Sequence, residues 1–163
     1  MNTDPSNLTE PEQFQKELEM QFPADTIYVA AVRRFIEHIA QHRGFDEAGV
    51  MAVGLCLNEA VANIIRHAYS CESQKPIRIT VEFAEEKSKA GNVAPSAMRI
   101  SLRDWGAGLH PSQTQNSPRD PLEPGGLGLI CLHKLMDQVT YTPQVDGMLL
   151  VLVKQNVAKK LPG

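Results

Sequence analysis

Cysteine is scarce in this chain of 163 residues: Cys56, Cys71 and Cys131 are the only three. They are widely spaced and odd in number, which argues against a disulfide framework or a zinc site and fits a reducing cytoplasm. Charge of one sign is also missing. Sixteen Lys and Arg stand against nineteen Asp and Glu, a formal net charge of −3. No basic field points to nucleic acid, and no polybasic cluster points to an anionic membrane. No apolar run approaches the roughly 20 residues that a membrane span needs. The polar opening "MNTDPSNLTEPEQ" has no signal-peptide core. A cytoplasmic protein with no direct nucleic-acid or membrane partner is expected. No internal repeat or domain boundary is visible.

What is present suits one globular domain. The hydrophobic share of 42% and charged share of 21% are ordinary, and the length is enough for a real core. Residues 1–13 read as a flexible tail, 14–156 as the domain and 157–163 as a second tail. In "FQKELEMQF", Phe14, Leu18, Met20 and Phe22 alternate with polar residues, as on a half-buried strand, with Lys16 interrupting the apolar face. Asp25 caps a helix to about His42, with Ala31, Phe35, Ile36, Ile39 and Ala40 at helical spacing and Gly44 as its stop. Asp46 caps a second helix, from Glu47 to about Tyr69, apolar over much of its circumference and therefore central.

Two clean alternations follow, at residues 77–83 and 98–104, and the second places Asp104 inward with Met98, Ile100 and Leu102. The polar segment from Ala84 to Ala97 between them reads as a long hairpin loop. Residues 109–124 hold four prolines and few apolar side chains, the composition of a lid or a disordered segment. Then "GGLGLICLHKLMD" reads as a helix opening on glycines, and "QVTYTP" and "MLLVLVKQ" as strands joined at Asp146-Gly147. Hairpins outnumber crossovers. The expected fold is an α+β two-layer sandwich, a mostly antiparallel mixed sheet with helices on one face.

Chemistry-bearing residues fall in three places. In "LNEAVANIIRHAY", Glu59 and Asn63 are four apart, and Arg66 and His67 continue the stripe. The oxygens suit Mg²⁺, the cation suits a polyphosphate, and Glu59 can take a proton from an attacking hydroxyl. A solvated stripe with Glu59 or Asn63 pairing Arg66 explains the same pattern equally well. In "RDWGAGL", Asp104 ends a strand before Gly106 and Gly108. An inward carboxylate needs a donor, such as a purine amino group, and the glycines let a flat ring approach. A turn in which Asp104 accepts backbone N–H groups is the simpler alternative. In "PGGLGLICL", Gly125, Gly126 and Gly128 open a helix whose free N–H groups suit phosphate, or else form a hinge. No Gly-Lys-Ser/Thr follows and no strand precedes, so it is neither a Walker A loop nor a Rossmann fingerprint.

In this order, "NEAVANIIRHAY", "LRDWGAGL" and "GGLGLICLHKLMDQVTY" resemble the GHKL ATP-binding superfamily of gyrase, Hsp90, histidine kinases and MutL. More narrowly they resemble its small anti-sigma-factor serine/threonine kinases, over roughly residues 14–155. The resemblance implies a Bergerat-type ATP-binding fold with Mg²⁺-ATP as ligand. It makes Glu59 the catalytic base and Asn63 the Mg²⁺ ligand. It assigns Arg66 and His67 to phosphate or ribose and Asp104 to the adenine amino group, with Gly106 and Gly108 lining the base pocket. The run Gly125, Gly126, Leu127, Gly128 and Leu129 approaches the phosphates. The implied partners are a STAS-domain antagonist, as phosphoryl acceptor, and a sigma factor, commonly with a homodimeric kinase. A nucleotide-holding module that captures partners without transfer, and a detached histidine-kinase catalytic domain, are the alternatives. His38 and His42, i and i+4 on one helix, lack a third metal ligand. The three cysteines read as core or surface thiols, Trp105 as a packing residue near the pocket rim, and His133 and Lys134 as a solvated face.

Overall fold

The structure is a computed structural model that describes residues 13–87, 93–107 and 126–156. The expected lid at 109–124 and most of both tails lie outside the described residues. Strand β1 is Phe14–Pro23, helix α1 Thr26–His42 and helix α2 Glu47–Asn63, which runs on into a π-helical turn, Ile64–Ala68. Strand β2 is Pro76–Lys87, β3 Val93–Asp104, helix α3 Gly126–Leu135, β4 Gln138–Gln144 and β5 Gly147–Gln155. The five strands lie in the order β1-β2-β3-β5-β4. Every pairing between them is antiparallel.

Both helix starts are fixed as the sequence dictates. Asp25 accepts the Ile27 N–H at 3.0 Å, and Asp46 accepts the Gly49 N–H at 2.8 Å, each satisfying a donor with no intrahelical partner. The main core lies between the helices and one sheet face. Ile77, Ile79, Val81, Ile100, Leu102 and Leu152 supply the sheet side, and Ile36, Val53, Leu57, Val61 and Leu132 the helix side. The α2 segment with its π turn, Glu47–Ala68, is 22 residues long and apolar enough to cross a membrane by length and composition. This corrects the expectation that no such run exists. Here more than half of that stretch is buried against the sheet and the other helices, as a core helix requires.

Four further expectations change. A bulge between Lys16 and Leu18 leaves Glu17 unpaired, so Phe14 aligns with Ala84 while Leu18 aligns with Val81. One extra residue reverses the alternation. Phe14 therefore sits on the face away from the helices, beside Ala84, Ala97 and Val153, with the Arg99 guanidinium 4.3 Å over its ring. On α1 the buried residues are Val32, Ile36 and Ala40, while Ala31 and Phe35 are exposed. The segment from Ala84 to Ala97 is mostly strand: β2 and β3 stay paired out to Lys87 and Val93, past a bulge at Ala84/Glu85. The β4–β5 turn is at Val145-Asp146, since Gln144 already pairs Gly147.

Candidate nucleotide site

The sheet and α2 enclose a pocket with about 380 Å³ of empty space, including its open mouth. Ala60, Asn63, Ile64 and Ala68 line it from the helix side, and Asp104, Tyr141, Met148 and Leu150 from the strands. Except for Asn63, Asp104 and the Tyr141 hydroxyl, these side chains are apolar. Asp104 is the only charged side chain among the buried residues described, at 3% exposure. Burial pushes its carboxyl above the ordinary value, against the N–H groups of Gly106 and Met148 and the Arg103 charge, which pull it down.

The simple turn is part of the answer: Gly106 N–H donates to Asp104 Oδ1 at 3.0 Å. That bond does not remove the cost of the buried charge, and the pocket opens beside it. The loop after Asp104 is held from several sides. The Tyr69 hydroxyl accepts the Trp105 N–H at 2.7 Å and donates to the Pro76 carbonyl at 2.6 Å. Ala107 N–H donates to the Ala68 carbonyl at 3.1 Å. A Cβ on Gly106 would collide with that same carbonyl, so only glycine allows this approach. Arg103 bonds the Asp104 carbonyl and the Asp146 side chain, and stacks 4.8 Å from the Trp105 ring centroid. Arg78 lies 5.2 Å from the same ring, so Trp105 is the packing residue the sequence suggested.

The π turn alters the expected stripe. Tyr69 N–H reaches back to the Ile64 carbonyl at 3.1 Å, a five-residue step that widens the helix. Glu59 and Asn63 are half-buried, whereas Arg66 and His67 are exposed, and neither lines the pocket. Arg66 donates to Asn63 Oδ1 at 3.2 Å, the pairing that a solvated stripe also predicts. Glu59 lies beneath α3: a Cβ on Gly128 would collide with its carboxylate oxygen and come within 3.2 Å of its Cδ. Glycine at 128 lets the helix start close over this carboxylate.

The structure thus brings Asn63 and Asp104 to one pocket, with Gly106 bonded to Asp104 beside it, and places Glu59 under Gly128. Gly108 and Gly125 lie outside the described residues. Gly126, Leu127 and Leu129 fall in the first turn of α3. Tyr69 and Tyr141 were missed by sequence reasoning. Tyr141 was legible, because it alternates with Val139 toward the core. Tyr69 carried no signal beyond its place at a helix end. Among the described residues no group of three His, Cys, Asp or Glu is placed to hold a metal. His38 and His42 only meet edge to face, with ring centroids 4.4 Å apart.

The pocket is lined mostly by apolar side chains, with a buried acceptor in its wall and, beside that acceptor, a glycine pressed on a helix end. Residues 22–154 match the family described as the histidine kinase-like ATPase domain, and the chain belongs to that family. Within it, the chain is 28% identical over 130 residues to "Serine-protein kinase RsbW" of Bacillus licheniformis, covering 80% of this chain and 79% of that one. It is 29% identical over 143 residues to the protein of the same name from Bacillus cereus (strain ATCC 10987 / NRS 248), covering 88% and 86%. Among solved structures, the RsbU and RsbW domains of Rv1364c from Mycobacterium tuberculosis match with a TM-score of 0.57 at 16% identity, over 85% of this chain. That likeness is one of fold, and this chain spans 32% of that structure's length.

Proposed function

We propose that this chain is an ATP-dependent protein serine/threonine kinase that is also an anti-sigma factor. It phosphorylates a STAS-domain antagonist and exchanges that partner for a sigma factor. The observation that carries the reading is the pairing of two carboxylates in different settings. Asp104 is buried at the end of an apolar pocket, and Glu59 is half-buried on α2 beneath Gly128. One suits recognition of a base and the other proton transfer. The similarity to serine-protein kinases over most of both chains supports the same reading.

In this mechanism Asp104 accepts the amino hydrogen of adenine, and Gly106 leaves room for the ring. Asn63 Oδ1 is a hard oxygen at the pocket edge, suited to Mg²⁺. When bound, that ion neutralises phosphate charge. Arg66 and His67, exposed and outside the pocket lining, meet phosphate or ribose oxygens in this reading only where those extend beyond the pocket. The glycine-rich start of α3, from Gly126 to Leu129, offers backbone N–H groups to the same oxygens. Glu59 takes the proton of the partner's hydroxyl, whose oxygen bonds to the γ-phosphorus while the bond to the bridging oxygen of ADP breaks. Positioning and charge neutralisation carry the catalysis. The new phosphate adds roughly two negative charges to the partner and weakens the docked interface. The kinase acts in the cytoplasm as a homodimer.

Incubation with γ-labelled ATP and a STAS-domain protein from the same genome tests this. Label on a partner serine or threonine is expected. Tight ATP binding with no label favours the capture module, and label on histidine favours the detached histidine-kinase domain. Glu59→Gln is expected to keep ATP affinity within about twofold and to lower transfer by at least about 100-fold, in line with removal of a general base. Full transfer in that variant overturns the role of Glu59.

A further inference from the structure

Among the described residues, two side-chain polar atoms are shut away from solvent without a hydrogen-bond partner, Arg33 Nε and the Tyr141 hydroxyl. Arg33 Nε has a charge partner, Glu37 Oε1, at 3.9 Å. Tyr141 has none. Buried hydroxyls are nearly always paired, because leaving one dry forfeits its bonds to water. Tyr141 is one of the residues that line the pocket, so an unpaired hydroxyl on it calls for a partner that comes with the pocket's occupant.

The sheet fixes where this hydroxyl stands. Tyr141 lies on β4, the strand at one end of the sheet, directly opposite Leu150 of β5. Its ring packs against the main core, and Tyr141, Leu150 and Met148 together form the strand-side wall of the pocket that Asp104 also lines. Among the described residues the only other polar lining side chain is Asn63, whose oxygen already accepts from Arg66. Burial pushes the Tyr141 phenol up to about 12, with the nearby Cys56 thiol as a smaller cause in the same direction. The group therefore keeps its proton at neutral pH and is able to donate.

Resting on the nucleotide reading of this pocket, we propose that Tyr141 is a specificity-determining residue for the base: its hydroxyl donates a hydrogen bond to one ring nitrogen of the adenine whose amino group Asp104 accepts. The two groups are complementary. An ionised carboxylate only accepts, whereas a phenol donates. An adenine edge offers both an amino donor and ring-nitrogen acceptors. A base with a carbonyl at the amino position would set oxygen against the Asp104 carboxylate. A base without the ring acceptor would leave the Tyr141 hydroxyl dry. A site built on such pairs rejects analogues that lack one of them.

The test reads the wild-type chain first. Affinities are measured for ATP and for 1-deaza-, 3-deaza- and 7-deaza-ATP, each of which replaces one ring nitrogen with C–H. One of the three is expected to bind about tenfold more weakly than ATP, the loss of a single buried hydrogen bond. Tyr141→Phe is then expected to bind ATP about tenfold more weakly and to lose its discrimination against that analogue. Its melting temperature without nucleotide stays equal to or above that of wild type, since Phe keeps the ring and removes the unpaired hydroxyl. Equal wild-type affinity for all four nucleotides overturns the proposal while leaving the kinase reading intact. So does unchanged ATP affinity in Tyr141→Phe. A lowered melting temperature with discrimination retained marks a structural role and also overturns it. Failure of the wild-type chain to bind ATP at all overturns the nucleotide reading itself.

Discussion

The two halves of the long helix beginning at Glu47 do opposite work. Its first half is a plain core element. Asp46 caps it, the hydrogen bonding is α-helical, and Ala52, Val53, Cys56 and Leu57 are buried. Even Cys56 behaves as a small apolar group there: burial, with smaller contributions from Cys131 and Glu59, pushes its thiol up to about 11. The second half gives up that regularity. From Glu59 onward it carries polar groups, and at Ile64–Ala68 it widens into a π turn. After the turn, Ser70 and Cys71 take positive φ values of 47° and 65°. These are uncommon for residues other than glycine and cluster at functional sites. The difference teaches that a helix can anchor a core with one end and shape a pocket with the other. The transition comes where Tyr69 and Ala68 tie it to the loop after Asp104.

Substitutions in the two halves should separate stability from binding. The largest stability effect belongs to Leu57→Ala in the first half. That side chain is fully buried, and its loss should cost about 2–5 kcal/mol in denaturant unfolding. Nucleotide affinity of the remaining folded protein should be nearly unchanged. Tyr69→Phe is the counterpart at the far end. It strips one bond from the Trp105 N–H and one from the Pro76 carbonyl, at a cost of about 1–3 kcal/mol. Because Trp105 follows Asp104, ATP affinity should fall with it, which Leu57→Ala should not cause. An equal effect of both variants on affinity would erase the distinction between the halves.

Asp104→Asn gives the smallest stability change, with the opposite sign. The folded-state carboxyl lies above its ordinary 3.8, chiefly through burial. The folded chain therefore holds this proton more tightly than the unfolded chain does. Stability from this group is present at low pH and is lost as pH rises from about 3.8 through the raised folded value. The nucleotide-free variant lacks that loss. Its melting temperature relative to wild type should climb across this window and level off above the raised folded value, while its affinity for ATP drops sharply. A difference that is flat with pH would mean that the buried charge costs nothing.

Much of this was legible in the chain. Asp25 and Asp46 announced their helices because a cap is a local bond. The inward position of Asp104 followed from strict alternation with Met98, Ile100 and Leu102. Phe14 was misplaced because a bulge is a property of strand pairing, and one extra residue reverses every side chain beyond it. The segment from Ala84 to Ala97 read as loop because its side chains are polar, whereas its strands are joined by backbone bonds that leave no mark on composition. Phe35 fits the helical spacing of α1 yet faces outward at 46% exposure, which spacing alone does not forbid. Of the candidate site, Glu59, Asn63, Asp104 and Gly106 could be named from motif order. The dry hydroxyl of Tyr141 became visible only with the pocket around it.

The sequence by itself determined the order of elements, the helix caps, the inward carboxylate and the family to which the chain belongs. Each rests on residues near one another along the chain, where periodicity and capping act. Tertiary structure alone decided that Arg66 and His67 leave the pocket stripe, that Glu59 lies beneath Gly128, and that Tyr69 locks the Asp104 loop to the helix. Those outcomes depend on contacts between segments that are distant in sequence. Such contacts are set by the packing of α2 on the sheet and by where each buried polar group finds a partner.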